Sequence, residues 1–63
     1  MSTNVDIGCV KQHETDNAVQ VLIEDTGELV WFPLSQVVSM HFDGKGKGSI
    51  VVTRWIAEQK GLA

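Results

Sequence analysis

The residue that most limits how this chain can fold is Pro33, set inside the run Val30-Trp31-Phe32-Pro33-Leu34-Ser35-Gln36-Val37-Val38-Ser39-Met40. Leu29–Phe32 is β-branched and aromatic, a composition that fits a pleated, half-buried strand. Pro33 has no N–H and a fixed φ, so it suits a strand end or a sheet edge. It also holds Phe32 extended. Leu34-Ser35-Gln36 reads as one tight 3₁₀ turn, in which the Ser35 hydroxyl can bond a nearby backbone N–H. Val37–Phe42 then alternates, with Val38, Met40 and Phe42 on one face and Val37, Ser39 and His41 on the other. Strand, corner, strand is a pattern that bends a sheet over its own face, as in small barrels. The large indole of Trp31 is expected in the core, with Trp55 as its partner.

A chain of 63 residues makes a single small domain, 1–63. A domain this small buries only about 60% of its unfolded surface and has little stability to spare. The single cysteine, Cys9, cannot close an intrachain disulfide, and no Cys/His set has zinc-finger spacing. Tight packing or self-association must supply the margin, and a homodimer is expected. Hydrophobic content of 43% and charged content of 21% are those of an ordinary globular protein. No apolar run reaches the length of a membrane span. A lone thiol and no secretory leader lead to the expectation of a cytoplasmic protein. A net charge of −3 argues against general binding to phosphate backbones and suits contact with a basic protein surface.

Along the chain, residues 1–4 are polar and expected to fray. Val5–Val10 alternates partially, but Gly8 weakens it as a strand, and its pairing in the sheet is left open. Gln12–Asn17 reads as a turn. Ala18–Glu24 and Glu28–Phe32 form a hairpin about Asp25-Thr26-Gly27, with Leu29 and Trp31 on the face of Val21 and Ile23. Asp43-Gly44-Lys45-Gly46-Lys47-Gly48 reads as a mobile hairpin loop. It lacks the Gly-Lys-Ser/Thr ending of a phosphate-binding loop, so any ligand it holds is undefined by sequence. Ser49–Val52 is a further strand. Thr53 is an N-cap, and a short helix over 53–61 closes with Gly61 at C′ and Leu62 folded back.

These elements add up to an α+β, mainly β fold. It is a four- or five-stranded antiparallel curled sheet, a small half-barrel, with a short C-terminal helix. A three-stranded meander plus helix completed by dimerisation is the alternative. The expected core is Val19, Val21, Ile23, Trp31, Val38, Met40, Ile50, Val52, Trp55 and Leu62.

Two segments carry a resemblance. Val30–Val37 resembles a Trp-aliphatic-Pro-x-Ser-Gln-aliphatic signature, with Phe32 standing where an aliphatic residue is usual. Val51–Leu62 resembles a Trp-aliphatic-Ala-x-x-Lys-Gly-Leu ending. Together they are similar to small uncharacterised proteins of bacteriophages and other mobile elements, over about a third of the chain. The resemblance implies a phage or prophage origin and a compact β-plus-helix unit, and no activity.

The sequence offers little for catalysis. Cys9 and His13 sit roughly 13 Å apart on an extended strand, beyond proton-transfer reach. Cys9, His13, His41 and Asp43 lack a spacing that would impose a tetrahedral metal site. No enzymatic activity, cofactor or metal is expected. Acidic residues near turns, including Glu14 and Asp16, read as a solvated rim. The favoured function is a protein-interaction module that binds or inhibits a host or phage protein, with a contact face of Glu24, Asp25, Glu28, Trp31 and Phe32. The second is a single-stranded nucleic-acid binder stacking bases on Trp31, Phe32 or Phe42, with Lys45, Lys47 and Arg54 on the backbone.

Overall fold

The structure, a computed structural model, describes residues 4–62. Five strands, β1 (Asn4–Glu14), β2 (Ala18–Ile23), β3 (Leu29–Pro33), β4 (Val37–Phe42) and β5 (Lys47–Thr53), precede one helix, α1 (Arg54–Gln59). The strands form one antiparallel sheet in the order β3-β2-β1-β5-β4. The expected fold is the observed one: mainly β, a curled antiparallel sheet and a short C-terminal helix.

The curl follows from chain length. β3 and β4 occupy opposite edges of the sheet, yet only the 3₁₀ turn Leu34–Gln36 joins them. Four flat inter-strand gaps would span about 19 Å, whereas the steps from Pro33 to Val37 reach at most about 14 Å. The sheet must therefore bend at this end, although its edges do not pair and it stays open. The turn carries no side-chain cap of its own. Gln36 Oε1 instead accepts from the Thr53 hydroxyl at 2.7 Å, which ties the corner to the end of β5.

One face of the sheet is the core. Ile7 and Cys9 of β1, Val19, Val21 and Ile23 of β2, Ile50 and Val52 of β5, and Ile56 and Ala57 of α1 are buried in it. Met40, Phe42 and Leu62 pack at its margin. Three expected core residues lie outside. Trp31 is 41% exposed, and Val30 and Phe32 are buried in its place. The cause is register. Val21 pairs with Val30 and Val19 with Phe32, and directly opposed residues share a face, so Leu29 and Trp31 stand on the outer face with Leu22 and Gln20. Val38 is 53% exposed. The β4–β5 register shifts between Val37 and Ser39, so Val38 is the extra residue of a bulge and Val37 packs against the core. Trp55 is 59% exposed. Thr53 caps the helix by accepting from the Ile56 N–H at 3.4 Å, and the phase so fixed turns Ile56 and Ala57 inward.

The first strand is longer than its sequence suggests. It runs to Glu14 because a register shift between Lys11 and His13 absorbs Gln12. The turn expected over Gln12–Asn17 is thus confined to the residues after Glu14. There Thr15 N–H donates to the Ala18 carbonyl at 2.8 Å, and Thr15 Oγ1 accepts from the Ala18 N–H at 3.1 Å. Asn4 pairs with Thr53 and is strand; residues 1–3, also expected to fray, lie outside the described residues. The helix ends as its sequence says. Gly61 has φ +74°, and the Leu62 N–H to Ala57 carbonyl and Gly61 N–H to Glu58 carbonyl bonds make a Schellman ending.

Candidate interaction surface

The β2–β3 tip is built by Gly27. Its φ of +73° suits glycine, and its N–H donates to the Ile23 carbonyl at 2.7 Å. The Thr26 hydroxyl accepts from the Glu28 N–H at 3.3 Å. Glu24, Asp25 and Glu28 are all exposed on this tip. Leu29 follows at 59% exposure and Trp31 two residues later, on the edge strand β3. Across the outer face Leu29 opposes Leu22, and Leu22 opposes Val10. Both are half-buried, so a short apolar row leads away from the acidic tip.

Phe32 does not belong to this surface. It is fully buried between β2 and the core, because the register that exposes Trp31 turns its neighbour inward. Leu29 takes its place beside Trp31, a residue that sequence reasoning assigned to the interior face. Its alternation with Trp31 could have flagged it once the phase was known.

No family model matches this chain, and comparison with curated proteins and with solved structures finds no match.

The three cations of the nucleic-acid reading are not brought together. Lys45 and Lys47 flank the β4–β5 turn, while Arg54 follows the far end of β5, about 23 Å along an extended strand from Lys47. Arg54 also pairs with Glu58, Nε to Oε1 at 3.5 Å. The glycine-lysine turn is organised by Asp43, whose Oδ1 accepts from the Lys45 N–H at 2.8 Å and the Lys47 N–H at 3.0 Å. Gly48 lies in β5 where any Cβ would collide with the His41 carbonyl. These glycines thus serve a tight turn and a close strand crossing. Phe42 is half-buried, with Lys11 Nζ 5.9 Å from its ring centroid.

Cys9 is fully buried. Burial first, then the charges of Glu24 and Asp6, push its thiol from an ordinary 9.0 up to about 11. A thiol so held is protonated at neutral pH and a poor nucleophile. His13 and His41 are exposed on strands. Among the described residues no group of three or more His, Cys, Asp or Glu could hold a metal ion, and no helix is long and apolar enough to cross a membrane.

Proposed function

We propose that this chain is a small acidic protein-interaction module, phage- or prophage-encoded and acting in the bacterial cytoplasm, that binds a protein surface combining basic and apolar groups. One observation carries the reading: Leu29 and Trp31 stand exposed on an edge strand directly beside the carboxylates of Glu24, Asp25 and Glu28. An indole held on a strand is a rigid, amphipathic anchor, the residue type that dominates interface energetics. The acidic tip steers a basic partner toward it. The net charge of −3 agrees, and the two phage-like segments support the origin.

The experiment compares wild type with Trp31→Ala and Glu28→Lys in a Trp55→Phe background, so that Trp31 is the sole fluorophore. A host protein captured by the wild type is purified and titrated. Both variants keep the fold by circular dichroism and lose binding, and the wild-type Trp31 emission shifts on complex formation. Binding that persists in both variants rejects this face. Salt-sensitive quenching by oligo-dT without any protein partner returns the nucleic-acid reading instead.

A further inference from the structure

β1 has an edge that its neighbours leave open. On one side Asn4–Val10 pairs continuously with β5. On the other side β2 begins only at Cys9, opposite Ile23, and the chain then turns away into the tip. Direction of the backbone groups follows from two bonds. The Lys11 N–H donates to the Gly46 carbonyl, on the β5 side, at 2.7 Å, and the Gly8 carbonyl accepts from the Glu24 N–H, on the β2 side, at 3.3 Å. Backbone groups alternate sides along a strand, so the N–H and C=O of Asp6 point to the β2 side, where no strand among the described residues lies opposite them. What lies there is a groove of about 280 Å³, lined by Asp6, Ile7, Ile23, Asp25 and Leu62 among others. Gly8 and Gly61 both line it, and a Cβ on either would meet nothing within 4 Å.

We propose that this edge of β1, centred on Asp6, docks an extended basic segment of another protein as an added strand. Main-chain bonds to Asp6 supply affinity, and alternate side chains supply selectivity, as in other strand-addition sites. Side chains turned to the core face meet Ile7, Ile23 and Leu62. Those turned outward meet Asp6, with Asp25 also lining the groove and Glu24 beside it, its N–H on the Gly8 carbonyl. The matching segment alternates apolar residues with Lys or Arg. A second copy using the same edge would set Asp6 against its own mate, and like charges directly opposed are destabilising. A groove of about 280 Å³ stands at the small end of ligand pockets, which run from about 300 Å³, whereas an open strand edge offers main-chain bonds along its length. The nearest cation in sequence, Lys60, is not part of the groove lining. The site does not depend on the Leu29–Trp31 face, which lies on the far strand of the hairpin.

The test titrates acetyl-Lys-Val-Lys-Val-Lys-Val-amide into ¹⁵N-labelled protein at low salt. The Asp6 amide moves downfield and becomes protected from hydrogen exchange. Asp6→Asn weakens binding about two- to fivefold, Trp31→Ala leaves it unchanged, and a peptide with alternate backbone N-methyl groups or with Glu in place of Lys does not bind. Five results overturn the proposal. They are equal binding of the N-methylated peptide, equal binding of the Glu peptide, shifts centred on Leu29–Phe32, no binding at millimolar peptide, and movement of the same amides with protein concentration alone, which would put a second copy on the edge.

Discussion

Phe32 and Trp31 are adjacent aromatics with opposite fates, and their variants should differ accordingly. Phe32 is fully buried among β2 side chains, so Phe32→Ala should cost about 3–5 kcal/mol, enough to unfold most of a domain this small at 25 °C. Trp31→Ala, on the outer face, should cost about 1 kcal/mol or less. Urea denaturation followed by circular dichroism separates the two. Similar losses would mean that the β2–β3 register is not as described. The phase of β3 was not legible in the sequence, because Leu29/Trp31 and Val30/Phe32 are both apolar alternations and either satisfies a strand with one buried face. Side-chain size favoured Trp31; pairing with β2 decided for Phe32. Cys9 supports a second prediction. The folded thiol has a pKa of about 11 against an ordinary 9.0, so between those values the unfolded chain loses a proton that the folded chain keeps. Stability should fall as pH rises through this window, by up to about 3 kcal/mol, and be flat below it. Denaturation midpoints of Cys9→Ala should lack that component of the decline. A wild type and variant with parallel pH profiles would remove Cys9 as its source.

At the scale of elements, turns and caps were the legible part. The 3₁₀ corner after Pro33, the Thr53 cap and the Gly61 ending lie where their residues place them, because each depends on local backbone chemistry. Bulges were not legible. Those at Gln12 and Val38 exist to keep both flanks of a strand in register with a partner distant in sequence, and no local signal marks them. The same contrast separates two glycines. Gly8 has open space around it and no positive φ, so Gly8→Ala should stabilise by about 0.4–1 kcal/mol through the unfolded state. Gly48→Ala forces a Cβ into the His41 carbonyl, a backbone atom that can move only with β4. It should cost about 1–3 kcal/mol and perturb the amides of Ser39–Phe42. Thermal melts and amide spectra distinguish the outcomes, and an unperturbed Gly48→Ala would show that β4 and β5 are farther apart. The helix depends on the corner: Thr53 both caps Ile56 and donates to Gln36. Thr53→Ala should therefore cost about 1–2 kcal/mol, with most of it recovered in Thr53→Ser.

For the whole molecule, charge is sorted along the strands. Asp6, Glu24, Asp25 and Glu28 sit toward the end of the sheet that carries the β2–β3 tip and the groove. Arg54 and Lys60 share that end, while Lys11, Lys45 and Lys47 gather about the opposite turn together with Glu14, Asp16 and Asp43; there Lys11 meets Gly46 and also pairs with Glu14 at 3.3 Å. Asp6 and Lys11 are about 16 Å apart along an extended strand, twice the screening length of about 8 Å at physiological ionic strength. An approaching basic segment therefore feels the acidic end as a local field, because the net charge of −3 is concentrated at that end. Two charge reversals of equal size test this with the lysine-valine peptide. Glu28→Lys should slow association at low salt and converge on the wild-type rate as salt rises, with dissociation little changed, since rim charges act mainly on encounter. Lys45→Glu, at the far end, should change the association rate much less. If the two reversals shift the rate by equal and opposite factors, only net charge matters, and its concentration at one end has no part in how a partner is met.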